Sequence, residues 1–144
     1  MVEYAYMKDS QLGEIIRNGE VSLAEINALR VAVGWTPYQF TKRYDEVAAP
    51  RTFATFSIRE NDELIAFARV ISDGAFYAFI VDLNVHPAYQ KKGIGKRFVK
   101  HIVSTLQSDP DKGIKYVQLT FDKELEPFYK ACGFEIGMAG SIRI

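Results

Sequence analysis

Three apolar runs in the middle of the chain constrain the fold more than any other feature of the sequence. They read FATFSIREN (residues 53–61), ELIAFARVIS (63–72) and AFYAFIVDLNV (75–85), and all three are rich in aromatic and β-branched residues. Asn61-Asp62 and Asp73-Gly74 separate them with residue types that favour tight turns. The pattern predicts an antiparallel meander of three strands.

A helix and a further strand follow the meander. The segment from Ile94 to Leu106 carries an apolar stripe at four-residue spacing, which one face of a helix would bury against a sheet. The segment IKYVQLTF (114–121) then alternates polar and apolar residues as a half-buried strand does. A helix that connects two neighbouring strands of one sheet makes those strands parallel. We therefore expect an α/β (α+β) fold whose sheet is mixed and mostly antiparallel, with helices on both faces.

The segment before the meander is predicted to be mainly helical. Ser22 and Glu25 match a capping box, and Gly34 is a natural end for the helix that they would begin. Thr36-Pro37 predicts the start of a second helix, with threonine as the N-cap and proline in the first turn.

Short elements are expected at both ends of the chain. A strand is predicted at residues 14–17, with residues 4–7 as the alternative. A helix around LEPFYKACG (125–133) and a strand around FEIGM (134–138) would complete the fold. No repeat, low-complexity tract or linker interrupts the sequence, so residues 1–144 are predicted to form a single domain.

The composition limits the class of function. The 144 residues carry 18 basic and 18 acidic side chains, and this zero net charge argues against general nucleic-acid binding, which needs a surplus of cations. The single cysteine, Cys132, excludes an internal disulfide and fits a reducing cytoplasm. The sequence begins without a secretion signal, and no segment has the roughly 20 apolar residues that cross a bilayer. We expect a cytoplasmic protein without a membrane or nucleic-acid partner.

The stretch VHPAYQKKGIGKRF (85–98) combines two glycines with several lysines at the predicted start of a helix. A helix start presents unpaired backbone N–H groups and a partial positive charge, and glycine lets an anion approach them. A pyrophosphate would fit such a site. The alternative is a helix whose first glycines serve packing and whose lysines are solvated. Gln90 and Arg97 exclude a P-loop, and Phe98 excludes a dinucleotide-binding fingerprint.

Two motifs together resemble the GNAT superfamily of N-acetyltransferases. The first is Gln90-x-x-Gly93-x-Gly95 after Leu83-Asn84-Val85, and the second is Pro127-Phe128-Tyr129-x-x-x-Gly133-Phe134 after the next strand. The resemblance spans residues 14–138. Residues 67–96 are most similar to the group related to the aralkylamine N-acetyltransferases of plants and bacteria. One departure is Thr120-Phe121-Asp122-Lys123, where many members have Asn or Ser to contact the cofactor.

The resemblance implies that acetyl-CoA binds between two splayed strands. These are the strand that ends at Val85 and the strand at residues 114–121, and the pantetheine arm would pair with backbone between them. A backbone N–H near Val85 would face the thioester oxygen, where loss of one donor typically costs about 10²–10³ in rate. The residues implied in cofactor binding are Leu83, Val85, Gln90, Lys91, Lys92, Gly93, Ile94, Gly95, Lys96 and Phe128. The resemblance also implies a homodimer.

Tyr129 and Asp82 are the candidate catalytic residues. Tyr129 would protonate the CoA thiolate, since an ordinary tyrosine keeps its proton at neutral pH. The alternative for Tyr129 is an aromatic residue packed in the core. Asp82 interrupts an apolar strand, where an unpaired carboxylate would be costly. It would take the proton of the incoming amine, directly or through water, or anchor the substrate, and the alternative is a structural carboxylate bonded to neighbouring backbone.

Two aromatic residues are candidates for the acceptor site. Trp35 lies in the predicted loop between the first two helices and would give a small amine an aromatic wall, through stacking or a cation–π contact. The alternative for Trp35 is a plug in the core. Tyr77 is a further candidate for the same wall. Two histidines and one cysteine provide no credible metal cluster, so no metal is expected.

The sequence therefore predicts an acetyl-CoA-dependent N-acetyltransferase that acts on a primary amine of a small molecule, such as an arylalkylamine or a polyamine. Two alternatives stay open. One is a non-catalytic domain that binds acetyl-CoA as a sensor or as part of a complex. The other is an enzyme that acetylates proteins or peptides.

Overall fold

A five-stranded mixed sheet forms the centre of the computed structural model, which describes residues 13–108 and 113–143. The strands are β1 (Ile16–Arg17), β2 (Ala54–Glu60), β3 (Glu63–Ser72), β4 (Tyr77–Val85) and β5 (Tyr116–Gln118). They neighbour one another in chain order, with antiparallel pairing from β1 to β4 and parallel pairing between β4 and β5. The predicted meander and parallel pair are confirmed. The strand predicted at residues 14–17 is β1, and its alternative at residues 4–7 lies outside the described residues.

The described residues contain four helical segments. They are α1 (Leu23–Ala32), α2 (residues 41–51), α3 (Ile94–Gln107) and α4 (Glu126–Ala131). Short 3₁₀ turns precede the last two, at Pro87–Tyr89 and Lys123–Leu125. Within the described residues, no helix combines the length and the apolar character needed to span a membrane.

The sheet has an apolar core on each face. On one face, the predicted stripe of α3 is buried against strand residues that include Phe56 and Ile58. On the other face, α1 packs against Leu64 and Phe67 of β3. Successive side chains of a strand point to opposite faces, so β3 contributes to both cores. The prediction of helices on both faces is confirmed.

The predicted capping box begins α1. Ser22 Oγ accepts a hydrogen bond from the Glu25 N–H at 3.2 Å, and the Glu25 carboxylate accepts one from the Ser22 N–H at 2.9 Å. Arg59 of β2 adds an ion pair with Glu25 at 2.6 Å. These contacts, with the Arg59 hydrogen bond foremost, lower the pKa of Glu25 to about 2. Gly34, with a φ of 86°, follows the end of the helix as predicted.

We expect the protein to lose stability as the pH falls from about 4.5, the ordinary pKa of Glu25, to about 2. A lowered pKa in the folded state gives stability that is present above the unfolded-state value and is lost on acidification through the folded-state value. Urea unfolding across this pH range measures the effect. Glu25→Gln should flatten the dependence, whereas Glu46→Gln, at an exposed position in α2, should not. Equal dependence in both variants would contradict this role of Glu25.

The prediction of a helix start at Thr36-Pro37 is wrong. Residues 36–40 are not helical, because the side chain of Asn27 on α1 brackets Tyr38. Asn27 Oδ1 accepts from the Tyr38 N–H at 2.8 Å, and Asn27 Nδ2 donates to the Tyr38 carbonyl at 3.0 Å. Arg30 Nε also donates to the Thr36 carbonyl at 2.9 Å. These contacts with α1 satisfy the backbone without a helix.

The prediction of a strand around residues 134–138 is also wrong. The described residues after Cys132 contain no strand. Met138 and Ile142 are exposed, so these two apolar side chains do not pack on the sheet. Gly137 and Gly140 are unfavourable in a strand because they lose more chain entropy and offer no side chain to pack.

Candidate active site

A gap opens between β4 and β5 towards the end of β4. The two strands pair only between residues 77–79 and 116–118, whereas β4 continues to Val85. Among the described residues, positions 80–85 therefore have no strand partner on this side. The predicted splay is confirmed, and it explains why β5 is shorter than the predicted 114–121.

The backbone N–H of Val85 faces this gap. The N–H of His86 donates to the Ile65 carbonyl of β3 at 2.7 Å. Because successive residues of a strand direct their polar groups to opposite sides, the N–H and carbonyl of Val85 point away from β3. The Val85 carbonyl accepts from Gln90 Nε2 at 2.7 Å. Gln90 thus satisfies the carbonyl and leaves the N–H of Val85 directed into the gap.

A β-bulge at Asp82 interrupts β4. The register with β3 shifts between Phe67 and Arg69, and Asp82 has a φ of 58°. The left-handed conformation is unusual for residues other than glycine, although Asp and Asn tolerate it best. The bulge places the Asp82 carboxylate on the α1 side of the sheet, where it meets Arg30.

The Asp82 carboxylate is held by three side chains. Its Oδ1 accepts from Arg30 Nη1 at 2.7 Å and from the Tyr38 hydroxyl at 2.6 Å. Its Oδ2 accepts from Arg69 Nε at 3.1 Å, and the carboxylate-bearing side chain is only 4% exposed. The partners are side chains rather than the neighbouring backbone that the sequence suggested. These contacts favour the structural alternative for Asp82, since both oxygens already have partners.

The start of α3 presents an open corner of backbone. Gly93 is the N-cap with a φ of 79°, and a Cβ built there would meet no atom within 4 Å. Lys91 is also left-handed, with a φ of 61°. At Gly95 the space is occupied instead, because a Cβ would lie 3.3 Å from the Phe128 ring. The first N–H groups of α3 therefore lie beside open space.

A cavity of about 550 Å³ lies at the gap and collects most of the predicted site residues. It is bounded by the loop after α1, the end of β4, the start of α3 and the start of α4. The predicted residues that line it are Trp35, Leu83, Val85, Gln90, Lys91, Gly95, Phe128 and Tyr129.

Four other predicted residues lie at the start of α3 without lining this cavity. They are Lys92, Gly93, Ile94 and Lys96. The Ile94 side chain is fully buried in the α3 core, so it can contribute only its backbone. The Lys92 ammonium lies over the Tyr89 ring, 5.7 Å from its centre.

The structure does not bring Tyr77 to the cavity. Tyr77 is the first residue of β4, at the end where β4 and β5 are paired. Its ring stacks on Tyr116 with centroids 4.9 Å apart, and half of the residue is exposed. At about 3.3 Å per residue, the length of β4 separates Tyr77 from Val85 by roughly 25 Å.

Tyr129 lies in a cluster of aromatic rings at the wall of the cavity. Its ring stacks on Phe121 at 4.7 Å and meets Phe128 and Phe134 edge to face at 5.0 and 5.8 Å. Burial is the main cause that raises the pKa of Tyr129 to about 12. The hydroxyl therefore keeps its proton at neutral pH beside the gap.

The sequence profile of the acetyltransferase (GNAT) family matches residues 21–134, which include the gap, the start of α3 and Tyr129. The chain belongs to the GNAT acetyltransferase family. The resemblance drawn from the two motifs is thereby confirmed at the level of the family, and the narrower aralkylamine group stays a prediction.

Two plant GNAT proteins illustrate the relationship. The chain is 32% identical over 143 residues to histone acetyltransferase TAP1 of Glycine max, covering 92% of this chain and 61% of that protein. It is 33% identical over 116 residues to GCN5-related N-acetyltransferase 1, chloroplastic, of Arabidopsis thaliana, covering 79% and 56%. The chain spans less than two thirds of the length of either relative.

A solved structure shares the GNAT fold. It is a protein of unknown function from meticillin-resistant Staphylococcus aureus, described as a probable acetyltransferase. The TM-score is 0.73 with 24% identity, and the match covers 91% of this chain and 98% of that one. At this identity the likeness shows the fold alone.

GNAT enzymes use acetyl-CoA as a co-substrate, and the described residues fit it. A diphosphate would meet the open corner at Gly93, where a Cβ would meet no atom beyond the neighbouring residues within 4 Å. The amide-rich arm would meet the unpaired edge of β4 at Leu83 and Val85. In the described part of the chain, no group of three or more His, Cys, Asp or Glu could hold a metal ion.

Three polar residues that the sequence does not predict for the site also line the cavity of about 550 Å³. They are Asn84, Asp122 and Glu124. The alternation of side chains along β4 could have indicated Asn84, because it lies between Leu83 and Val85 and faces the other side of the sheet. Asp122 and Glu124 lie beyond β5, and only the gap brings them close to β4.

Trp35 lies between this cavity and a second one of about 680 Å³. Asp122 also lines both cavities, and Arg30 and Tyr38 line the second. The Trp35 residue is 39% exposed, and the Arg30 guanidinium lies 5.4 Å from its ring centre. These observations favour an accessible aromatic wall over a plug in the core.

Proposed function

We propose that this protein transfers the acetyl group of acetyl-CoA to a primary amine of a small molecule. The observation that carries the proposal is the cavity at the β4–β5 gap, which Gln90, Val85 and Tyr129 all line. The adjoining start of α3 would hold the diphosphate, the N–H of Val85 would polarise a carbonyl, and Tyr129 would donate a proton. A polarised carbonyl and a proton donor for the leaving group each accelerate acyl transfer to an amine.

Acetyl-CoA, when bound, supplies an activated thioester carbonyl. The backbone N–H groups of residues 91–96, including those of Gly93, Ile94 and Gly95, would hold its diphosphate, and Lys91, Lys92 and Lys96 would add diffuse attraction.

The end of β4 would hold the arm of acetyl-CoA. The backbone of Leu83 and Val85 would pair with its amides, and the Phe128 ring would form a wall beside Gly95. Gln90 would fix the peptide at Val85 through its hydrogen bond to that carbonyl. A donor held in this way stabilises a developing oxyanion without reorganisation at the moment of reaction.

Tyr129 would act as the general acid. Its raised pKa of about 12 keeps the hydroxyl protonated at neutral pH, and the leaving thiolate would accept this proton. The three aromatic rings around Tyr129 would restrict its orientation.

Asp82 would act mainly by positioning. Its ion pairs with Arg30 and Arg69 hold the bulge of β4, directly before the backbone that faces the gap. The alternative is that Asp82 accepts the amine proton directly. It would require a carboxylate oxygen to exchange one of its three side-chain partners.

The acceptor would enter on the α1 side. Trp35 offers an aromatic wall between two cavities, which favours an amine with an aromatic or cationic body, such as an arylalkylamine. A lysine of a peptide is the second candidate acceptor, because the relative from Glycine max is named a histone acetyltransferase.

The test combines thermal unfolding with an acceptor panel. Acetyl-CoA at 100 times its dissociation constant should raise the melting temperature by about 5–10 °C. Release of free thiol from acetyl-CoA is then followed with arylalkylamines, polyamines and a lysine peptide, and we expect it to depend on a small amine.

Each outcome has a distinct meaning. Absence of a thermal shift at millimolar acetyl-CoA would contradict every function that involves CoA. A thermal shift without acceptor-dependent thiol release would support the sensor alternative, and release with the lysine peptide alone would support a protein acetyltransferase. Residence in the cytoplasm and a homodimer stay predictions, and the relative from Arabidopsis thaliana is named chloroplastic.

A further inference from the structure

Asn84 carries a buried polar group that has no partner in the described part of the chain. The residue is 7% exposed, and its Oδ1 makes no hydrogen bond to a described residue. Buried polar side-chain atoms nearly always have a partner, and an unpaired one destabilises the fold. The position of Asn84 therefore needs an explanation other than stability.

The side chain of Asn84 lies on the opposite face of the sheet from the side chains of Leu83 and Val85. The β3–β4 register places it across from Phe67, which packs with α1. Leu83 and Val85 pack instead against the core under α3. Asn84 lines the same cavity as Trp35. Its amide thus borders the gap on the side from which the acceptor would approach.

We propose that Asn84 binds the nitrogen of the acceptor amine, with its carboxamide oxygen accepting one N–H. The inference rests on the proposed acetyl transfer. A turn of 180° about the last side-chain bond exchanges the oxygen and the nitrogen of the amide, and it breaks no hydrogen bond to a described residue. The oxygen can therefore face the cavity.

The contact would orient the attacking atom. A neutral primary amine has two N–H groups and one lone pair, so a hydrogen bond to one N–H directs the lone pair towards the thioester carbon. The amine nitrogen adds to the thioester carbon, and the C–S bond breaks as the resulting oxyanion reforms the carbonyl. The nitrogen loses one proton to water or to a carboxylate, the thiolate gains one from Tyr129, and Tyr129 then recovers its proton from water. Asn84 accepts no proton in this sequence.

Thermal unfolding of the free protein separates this role from a structural one. Asn84→Leu should leave the melting temperature unchanged or raise it by about 2–4 °C, because an unpaired amide is replaced by an apolar group of similar size. Asn27→Leu is the matched control and should lower it, because both polar atoms of Asn27 are bonded to Tyr38. If Asn84→Leu lowers the melting temperature as much as Asn27→Leu does, the proposal is overturned.

Acceptor kinetics provide the second measurement. Asn84→Leu should lower kcat/KM for the amine about 10- to 100-fold, the effect of losing one hydrogen bond to a substrate. The dissociation constant of acetyl-CoA should not change, since the side chain faces away from the cofactor side. Asn84→Asp, which keeps an oxygen acceptor, should retain more activity than Asn84→Leu. An unchanged kcat/KM for the amine in Asn84→Leu would overturn the proposal.

Calorimetry, in which the amines of the panel are titrated into the protein–CoA complex, distinguishes failure of the proposed acetyl transfer from failure of the proposed role of Asn84. If amines bind without turnover in the presence of acetyl-CoA, the proposed acetyl transfer fails. Weaker amine binding by Asn84→Leu would then still support the role of Asn84. If no amine binds the wild-type complex while the lysine peptide is acetylated, Asn84 as a site for small amines is overturned and acetyl transfer stands.

Discussion

Tyr129→Phe should lower kcat about 10²–10⁴-fold, the usual contribution of a general acid, and leave the affinity for acetyl-CoA nearly unchanged. The substitution removes one hydroxyl and keeps the ring that packs on Phe121 and Phe128. Because burial raises the pKa of Tyr129 to about 12, loss of this proton should not reduce the wild-type kcat between neutral pH and the ordinary tyrosine value of 10. Steady-state kinetics across this pH range measure both effects.

Tyr116→Phe is the matched control for Tyr129→Phe. Tyr116 is exposed at the paired end of β4 and β5, stacked on Tyr77 and away from the gap. This variant should retain wild-type kcat. Equal activity of Tyr129→Phe and wild type would remove Tyr129 from the mechanism.

Asp82→Ala should lower the free energy of unfolding by about 3–5 kcal/mol, the cost of breaking a buried ion pair from one side. Two guanidinium groups, from Arg30 and Arg69, would lose their carboxylate at positions that are 15% and 13% exposed. Alanine would also have to adopt the left-handed backbone of Asp82, with a φ of 58°, which adds to the loss. Urea unfolding monitored by tryptophan fluorescence measures the change.

The exposed Asp45 of α2 provides the control, and Asp45→Ala should change stability by no more than about 0.5 kcal/mol. Asp82→Asn separates positioning from proton transfer, because asparagine also tolerates the left-handed conformation. If Asp82→Asn keeps wild-type stability and loses about 10²-fold or more in kcat, Asp82 is the general base. A stability loss with retained kcat in the folded fraction would support the structural alternative, whereas loss of both stability and kcat would support positioning.

Local patterns in the sequence account for the elements that carry the site. The stripe of α3 is buried as its four-residue spacing predicts, and the capping box of Ser22 and Glu25 begins α1. Gly93 takes the positive φ that glycine allows and leaves open space at the helix start. Each of these features depends on residues that are close in sequence, so a periodic or positional pattern is sufficient to predict it.

The arrangement of the site depends on contacts between distant residues. Thr36-Pro37 carries a helix-start pattern, yet Asn27 of α1 binds both backbone groups of Tyr38 and keeps this segment out of a helix. The sequence predicts both Tyr77 and Trp35 for the aromatic wall of the acceptor site, but of the two only Trp35 lines the cavity. Tyr77 does not, because β4 and β5 are still paired where it lies.

The sequence by itself determined the meander, the glycine-opened helix and the membership of a family, because these follow from periodicity and from motifs of a few residues. Only the tertiary structure decided that the carboxylate of Asp82 turns to two arginines and that the amide of Asn84 has no described partner beside the gap. The bulge and the early separation of β4 from β5 cause both outcomes. A strand's register and the end of its pairing are set by the neighbouring strands, which the residues within one strand do not encode.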